Sequence, residues 1–181
     1  MNEKIEGYFK NISFPDKSKY YCSRLSPHIS WGNITIRQVY QHCKKNKKNV
    51  SAKKSLNQFM IRLKWHCHFI QKFESEPDIE FENLNPAFND IRTKKNKKLL
   101  KAWKSGFTGY PLVDAAMRCV RETGNLNFRL RAMVVSFLTH LMWQPWREGA
   151  AHLARMFLDY EPGIHFPQFQ MQAATTGINT I

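Results

Sequence analysis

Acidic residues are scarce in this sequence. It contains 14 Asp and Glu against 28 Lys and Arg in 181 residues, which gives a formal net charge of +14 at pH 7. An excess of this size favours a polyanionic partner, most often a nucleic acid and less often a phosphorylated cofactor or an anionic membrane surface. The alternative is a set of basic, solvated loops without a partner.

Cysteine is also sparse, and its four residues follow no pattern. They are widely separated, with no CxxC pair, at positions 22, 43, 67 and 119. This spacing excludes a disulfide framework and a cysteine-ligated cluster. His66 and His68 flank Cys67, but side chains two residues apart point away from each other on a helix. We therefore expect no metal site. We also expect a cytoplasmic protein whose thiols remain reduced.

Several sequence signals of other protein classes are missing. No apolar run approaches the ~18 residues that a membrane span requires, and the first ten residues lack the apolar segment of a secretory signal. There is no glycine-rich nucleotide loop of the GxGxxG or GxxxxGK kind, no internal repeat and no strand-like alternation of useful length. The sequence predicts a soluble, all-α protein without a membrane span, and a single domain over residues 1–181.

The clearest helical pattern surrounds a glycine. Pro111 suits a first helical position, and apolar residues recur at helical spacing until Gly124. They are Leu112, Val113, Ala116, Met117 and Val120. A second apolar stripe follows, consisting of Leu126, Leu130, Val134, Phe137, Leu138 and Leu141. Arg131 lies beside this second stripe on a face that we expect to be largely buried, so its guanidinium requires a carboxylate or a ligand.

Other elements follow from local signals. Thr35 with Gln38 resembles a capping box and predicts a helix from Ile36 to about Cys43. A second helix is predicted from Ser55 onward. Residues 15–18 are interpreted as a loop and residues 162–163 as a turn. The basic residues of 92–104 are interpreted as a solvated helix face. Alternatively, together with the lysines of 44–54, they form a groove that follows the phosphates of a nucleic acid.

Two short groups of polar residues suggest binding chemistry. Ser23, Arg24 and Ser26 place two hydroxyls and a guanidinium within four residues, which suits phosphate oxygens but equally suits the polar start of a helix. Asp159 and Glu161 follow a predicted helix, where carboxylates are commonly solvated.

Five motifs in this order resemble the FAD-binding domain of the photolyase/cryptochrome family. They are SRLSPHISWGNITIRQ, WKSGFTGYPLVDAAMR, NFRLRAMVVSFL, PWREGA and FLDYEP. The resemblance runs from Tyr8 to Gly177 and implies an all-helical bundle that holds FAD. It also implies a partial domain, because family members carry an N-terminal antenna domain and a longer C-terminal end, so that a second chain is a possible partner.

The resemblance implies a set of cofactor contacts. They are Tyr8, Ser23, Arg24, Leu25, Ser26, His66, Phe69, Arg131, Asp159, Tyr160, Glu161 and His165. Arg131 and Asp159 correspond to an ion pair beside the flavin ring. Glu161 stands where an Asp is usual, and His165 stands where repair enzymes usually have Asn.

For function, the resemblance implies light-driven repair of pyrimidine dimers in DNA. The implied catalytic residues are Trp65, Arg131, Asp159 and Trp146, and the implied DNA contacts are Arg62, Trp65, Phe128 and Arg129. Arg62 and Phe128 replace the Glu and Asn that are usual in repair enzymes, and Phe169 replaces the tryptophan nearest the flavin. These departures favour a cryptochrome-like photoreceptor as the alternative. A third hypothesis is a partial domain that binds DNA weakly and no flavin.

Overall fold

The structure, a computed structural model, describes residues 2–48 and 52–177. These residues form ten α-helices with short 3₁₀ and π turns and, within those two ranges, no strand, which confirms the predicted all-α class. The helices are α1 Asn2–Asn11, α2 Pro15–Tyr21, α3 Ser26–Ser30, α4 Ile36–Lys45, α5 Lys53–Ser75, α6 Lys97–Ser105, α7 Pro111–Thr123, α8 Phe128–Ser136, α9 Trp146–Ala154 and α10 Pro162–Gln172. The short turns are Asn46–Lys48, Pro77–Glu80 and Pro86–Phe88 (3₁₀) and Phe137–Leu141 (π). No helix in the described ranges has both the length and the apolar character that crossing a bilayer would need.

Capping and boundary residues end several helices where the sequence predicted. Thr35 and Gln38 form the complete capping box of α4. Pro111 begins α7, and Gly124 ends it in the left-handed conformation at φ 63°. The sequence pattern therefore located these helices because caps act within one turn of the chain.

Two predictions about loops were wrong. Pro15 is not part of a loop but occupies the first turn of α2, and Pro162 occupies the first turn of α10, where residues 162–163 were expected to form a turn. In both cases the missing proline N–H costs nothing at a position that has no intrahelical acceptor. Gly163 lies inside α10 because the helix passes close to α5, where an added Cβ would be 2.7 Å from Ile70 Cδ1.

The apolar side chains form two cores. The larger core includes Trp103, Val120, Leu138 and Leu153, all almost fully buried, and is built mainly by α6 to α10. The smaller core is built by α1, α4 and the first half of α5, with Tyr8 and Phe59 in edge-to-face contact. The 23-residue helix α5 therefore belongs to both cores, since Phe73 near its C-terminal end packs against the larger one.

Three hydrogen bonds join the smaller core and its neighbouring loops to the segment around residue 160 and to α8. Trp31 Nε1 donates to the Leu158 carbonyl at 2.9 Å. Asn127 Nδ2 donates to the Ile12 carbonyl at 2.8 Å, and the His66 imidazole contacts Glu161, as described below. The bonds to Leu158 and Glu161 fix the segment between α9 and α10 against the preceding part of the chain, and the bond from Asn127 fixes the start of α8.

Some residues differ from their expected exposure. Leu112 and Leu141, placed in apolar stripes by their spacing, are 61% and 73% exposed. Arg92, interpreted as part of a solvated basic run, is buried and donates to the carbonyls of Thr139 and Ala173. Arg92 has a left-handed backbone at φ 57°, and its guanidinium meets carbonyls near the C-terminal ends of two helical segments, where a positive charge is favoured.

Candidate functional site

A cavity of about 290 Å³ lies between α8, α10 and the segment that precedes α10. Its size is at the lower end of the ~300–1,000 Å³ that is usual for small-molecule sites. The walls combine aromatic rings with a few charged groups. The lining residues are Phe128, Arg129, Arg131, Ala132, Val135, Leu153, Phe157, Asp159, Tyr160, Glu161, Ile164, His165, Gln168, Phe169 and Gln172.

An arginine–carboxylate pair forms one wall of the cavity. Arg131 Nη2 lies 2.8 and 2.9 Å from the two carboxylate oxygens of Asp159. Arg131 Nε donates to the Leu126 carbonyl at 2.9 Å, and the guanidinium stands 3.9 Å from the centroid of Phe157. Asp159 retains 8% of its side-chain exposure. The pair supplies the carboxylate that a largely buried Arg131 requires.

A histidine–glutamate contact lies next to this pair. His66 Nε2 is 2.6 Å from Glu161 Oε2. Because a carboxylate accepts, Nε2 carries the proton in the neutral imidazole, and Nδ1 is an acceptor. Nδ1 of His66 is buried and has no hydrogen-bond partner among the described residues. A buried acceptor of this kind is costly unless a ligand supplies a donor.

His165 contributes a neutral imidazole to the cavity. Its Nε2 lies 2.9 Å from the Ala150 carbonyl, so this nitrogen donates and Nδ1 is left as an acceptor. Burial lowers the pKa of His165 to about 4, and the nearby charge of Arg131 acts in the same direction. Its ring contacts Phe157, Tyr160, Phe166 and Phe169. We conclude that His165 is uncharged at neutral pH.

Aromatic and basic side chains meet at the rim of the cavity. The guanidinium groups of Arg62 and Arg129 lie 4.9 and 5.2 Å from the ring centroid of Phe128. Phe128 and Arg129 also line the cavity, whereas Arg62 comes from α5. Trp65 is 55% exposed on the same helix and packs beside Phe69 at 6.0 Å between centroids. Neither Trp65 nor Phe69 lines the cavity.

The predicted phosphate-binding residues lie apart from the cavity walls. Ser23 and Arg24 are exposed, and Arg24 has a left-handed backbone at φ 57°, which is uncommon for a residue with a Cβ. Tyr8 is buried in the smaller core, and burial raises its pKa to about 12, against the opposing charge of Arg62. Burial also raises the pKa of Cys22, opposed by Arg62 and Arg24.

The remaining two residues of that motif are also outside the cavity. Leu25 is half-buried against the smaller core, and its backbone N–H donates to Ser23 Oγ at 3.4 Å. Ser26 begins the short helix α3 and is exposed. The motif thus forms a basic, polar loop in the neighbourhood of Arg62.

Trp146 is separated from the cavity by a phenylalanine. Trp146 is buried, donates through Nε1 to Asn83 Oδ1 at 2.7 Å, and lies 6.4 Å between centroids from Phe169, which lines the cavity. Trp103 approaches the same phenylalanine, because both rings lie within 3.4 Å of the point where a Cβ on Gly149 would stand.

Sequence reasoning missed part of the cavity wall. The apolar residues of 150–158 predict a helix that includes Phe157, but α9 ends at Ala154, so that prediction was wrong for Phe157. The Phe157 ring instead packs against the guanidinium of Arg131. Ile164, Gln168 and Gln172 belong to α10, which was not predicted. The spacing of residues 164, 168 and 172 is helical and would have indicated one face of a helix.

These features define a class of protein: a helical domain with a cavity between its helices whose aromatic walls and guanidinium suit a flat, anionic aromatic ligand. No group of three or more His, Cys, Asp or Glu side chains within residues 2–48 and 52–177 is arranged to hold a metal ion.

Comparison with known proteins identifies the family. The family model described as the FAD binding domain of DNA photolyase matches residues 59–181. The chain is 31% identical, over 99% of its length, to a deoxyribodipyrimidine photo-lyase from Alkalihalophilus pseudofirmus. It is 30% identical, over 78% of its length, to a chloroplastic/mitochondrial cryptochrome DASH from Solanum lycopersicum. The chain therefore belongs to the photolyase/cryptochrome family, and its domain is the one that binds FAD.

The fold agrees with a solved member of the family. A class III photolyase from Agrobacterium tumefaciens superimposes with a TM-score of 0.88 and 29% identity over 94% of this chain. The chain spans 36% of the Alkalihalophilus relative, 25% of the Solanum relative and 35% of the Agrobacterium structure. It thus corresponds to about a third of these proteins or less.

The residues of the cavity fit a flavin. Among the lining residues, Arg131 offers a positive charge beside aromatic walls, and His165 offers an acceptor. His66 does not line the cavity, but its unpartnered Nδ1 offers a second acceptor beside Glu161, which does. A flavin ring carries both donors and acceptors and is favoured in its reduced anionic form by a nearby cation.

Proposed function

We propose that this chain is the flavin-binding part of a light-driven DNA repair protein of the deoxyribodipyrimidine photolyase kind. When bound, reduced FAD supplies the photo-excited electron that splits a pyrimidine dimer and then returns to the cofactor. In this proposal residues 1–181 form a partial FAD-binding domain that holds the flavin by itself, and a second chain that completes the domain strengthens the binding.

The observation that carries the proposal is the continuity between the cavity and its rim. Phe128 and Arg129 line the cavity and also belong to the cation–π group that Arg62 completes. An aromatic surface bordered by guanidinium groups suits an extruded base, which stacks on rings while its phosphates meet positive charge. Trp65, exposed one turn after Arg62, extends this surface.

Each predicted residue has a role that its geometry supports. Arg131, held by Asp159, favours negative charge on the cofactor ring, and neutral His165 accepts a hydrogen bond there. His66 and Glu161 orient each other at the edge of the cavity, next to Tyr160.

The phosphate contacts are proposed for the basic loop that begins at Ser23. Its hydroxyls and Arg24 lie near Arg62, whose charge acts on both Tyr8 and Cys22. The left-handed Arg24 supports this assignment, since strained backbone is concentrated at functional sites. Leu25 and Ser26 complete the loop, and Phe69 packs on the neighbouring face of α5.

The experiment begins with the purified chain and added FAD in the dark, followed by absorption spectroscopy after removal of free flavin. Illumination with an oligonucleotide that contains a pyrimidine dimer then tests repair. Bound flavin and light-dependent loss of dimers support the proposal. A chain that remains colourless at saturating FAD contradicts it. Arg131→Met, which removes the cation from the cavity wall, is expected to weaken flavin binding, and Lys72→Met is the matched surface control.

A cryptochrome-like photoreceptor is the second candidate function, favoured by the rim itself. Phe128 presents no hydrogen-bonding group to a thymine edge, and Arg62 lies over its ring. Phe169 between the cavity and Trp146 also interrupts an electron route, because phenylalanine is far harder to oxidise than tryptophan. Bound flavin without loss of dimers under illumination selects this candidate.

A further inference from the structure

We propose that a second site, the lysine groove, binds the phosphate backbone of a nucleic acid independently of the flavin cavity. The groove has a volume of about 540 Å³ and is lined by Lys95, Lys97, Leu100, Lys101, Lys104, Ser105, Arg121 and Glu148. It shares no lining residue with the cavity described above. Binding there requires neither FAD nor light.

The charge of the groove is strongly unbalanced. Five of its lining residues are cations and one is a carboxylate, Glu148, which lies 2.9 Å from Lys95 Nζ and 3.9 Å from Lys104 Nζ. The pKa of Glu148 is lowered first by its hydrogen bond from Lys95 and then by the charges of both lysines. Lys97 and Lys101 have no carboxylate within 4.0 Å among the described residues.

Lys97 is placed unfavourably for helix stability, whereas Lys104 lies in the last turn of α6, where a positive charge is favoured. Helix α6 begins at Lys97, has no acidic residue in its first turn and is capped only by the side chain of Asn96. A positive side chain at a helix N-terminus repels the partial positive charge of the exposed N–H groups, and this repulsion costs stability. An anion bound in the groove would remove this cost, and no carboxylate of the described residues does so at Lys97.

The positive charge of the groove also affects the pKa of a neighbouring histidine, His152. Burial, together with the smaller effects of the Lys104 and Arg155 charges, lowers the pKa of His152 to about 4. His152 packs against Trp103, directly behind α6. Lys104, which lines the groove, thus contributes to a positive field that extends to His152.

The shape of the groove favours a polymer over a single phosphate or a membrane. Lys97, Lys101 and Lys104 follow one helix face over about 10 Å at 1.5 Å per residue. Phosphates of one DNA strand advance about 3.4 Å along the axis per nucleotide, so that face matches about three of them. Leu100 in the groove is buried, so the groove offers no apolar residue for insertion into lipid.

The test compares two triple variants of equal net charge. The first carries Lys97→Gln, Lys101→Gln and Lys104→Gln. The control carries the same substitution at three exposed lysines of α1 and α2, namely Lys10, Lys17 and Lys19. Affinity for a short undamaged duplex is measured by fluorescence anisotropy in the dark, without FAD, at 50–200 mM salt. Far-UV circular dichroism and the urea midpoint establish that both variants are folded.

We expect the groove variant to lower the slope of log affinity against log salt by about 2.7, since each phosphate contact contributes about 0.9. The affinity of the unmodified chain would then fall about 40-fold more than that of the groove variant between 50 and 200 mM salt. The control is expected to change the slope by less than about 1. Lys101→Gln alone should lower it by about 0.9 and serves if the triple variant does not fold.

Equal slopes for the groove variant and the control would overturn the proposal, because net charge alone would then explain binding. An unchanged DNA slope together with lost binding to phosphatidylserine vesicles would overturn it in favour of a membrane surface. Neither outcome depends on flavin binding, so failure of this proposal can be distinguished from failure of the proposed function.

Discussion

The ion pair between Arg131 and Asp159 should stabilise the fold even without a ligand. Arg131→Met leaves the Asp159 carboxylate, 8% exposed, without the nitrogen that lies 2.8 and 2.9 Å from its oxygens. Removing one partner of a buried pair costs about 3–5 kcal/mol. Because the Arg131 side chain keeps 28% of its exposure, we expect the lower limit, about 3 kcal/mol.

The contribution of the pair itself is measured with a double-mutant cycle. Asp159→Asn is expected to cost about 2 kcal/mol, since it keeps an acceptor but loses the charge. The double variant Arg131→Met/Asp159→Asn should be destabilised by about 2 kcal/mol less than the sum of the two single-variant destabilisations. The free energy of unfolding is obtained from urea denaturation followed by circular dichroism.

The control is a lysine–glutamate pair whose carboxylate is exposed. Lys72 Nζ lies 4.0 Å from Glu76 Oε1 on α5, the Glu76 side chain keeps 54% of its exposure against 8% for Asp159, and Lys72→Met should cost less than about 0.5 kcal/mol. If the two cavity substitutions prove additive within about 0.5 kcal/mol, our interpretation of Arg131 and Asp159 as a coupled buried pair is wrong.

Three further predictions concern pH, packing and capping. The folded pKa of His165, about 4, is below its ordinary value of 6.5, so its contribution to stability is present above pH 6.5, falls as the pH is lowered from 6.5, and is lost once the pH has fallen through 4. His165→Asn should remove about 3 kcal/mol of that dependence, measured as urea midpoints between pH 7 and 4, and an unchanged dependence would refute the assignment. Gly149→Ala places a Cβ against Leu138 and should lower the unfolding free energy by about 1–3 kcal/mol, whereas a neutral result would mean that this core adjusts. Thr35→Ala removes the acceptor for the Gln38 N–H and should cost about 1 kcal/mol by thermal unfolding, unless solvent replaces the cap.

Signals confined to one turn of the chain made part of the fold predictable. The capping box at Thr35 and the Pro111 and Gly124 boundaries of α7 were confirmed because each depends on the backbone within a few residues. Helix α10 could not be recognised in this way. Its formation depends on packing against α5, where Gly163 allows close approach to Ile70, and local propensity in this proline-containing segment favours a turn.

The candidate site was predictable in kind but not in detail. Because its guanidinium was expected to be buried, Arg131 required a partner. No sequence signal near Arg131 could identify Asp159, which lies 28 residues away, and only the family resemblance indicated it. Arg92 shows that composition alone cannot predict burial. It belongs to a lysine-rich run that is typical of a solvated surface, but it is buried, and its guanidinium donates to helix carbonyls rather than to a carboxylate.

The hydrogen bonds that join the N-terminal helices to the cavity segment link ligand binding to the dynamics of a distant part of the chain. Leu158 and Glu161 bracket Asp159, and they accept from Trp31 and His66 respectively. A ligand that holds this segment in place also holds its donors, since anything that binds only the folded arrangement opposes local opening. Occupancy of the cavity should therefore slow amide hydrogen exchange around Trp31 and in the part of α5 that carries His66, although neither region lines the cavity.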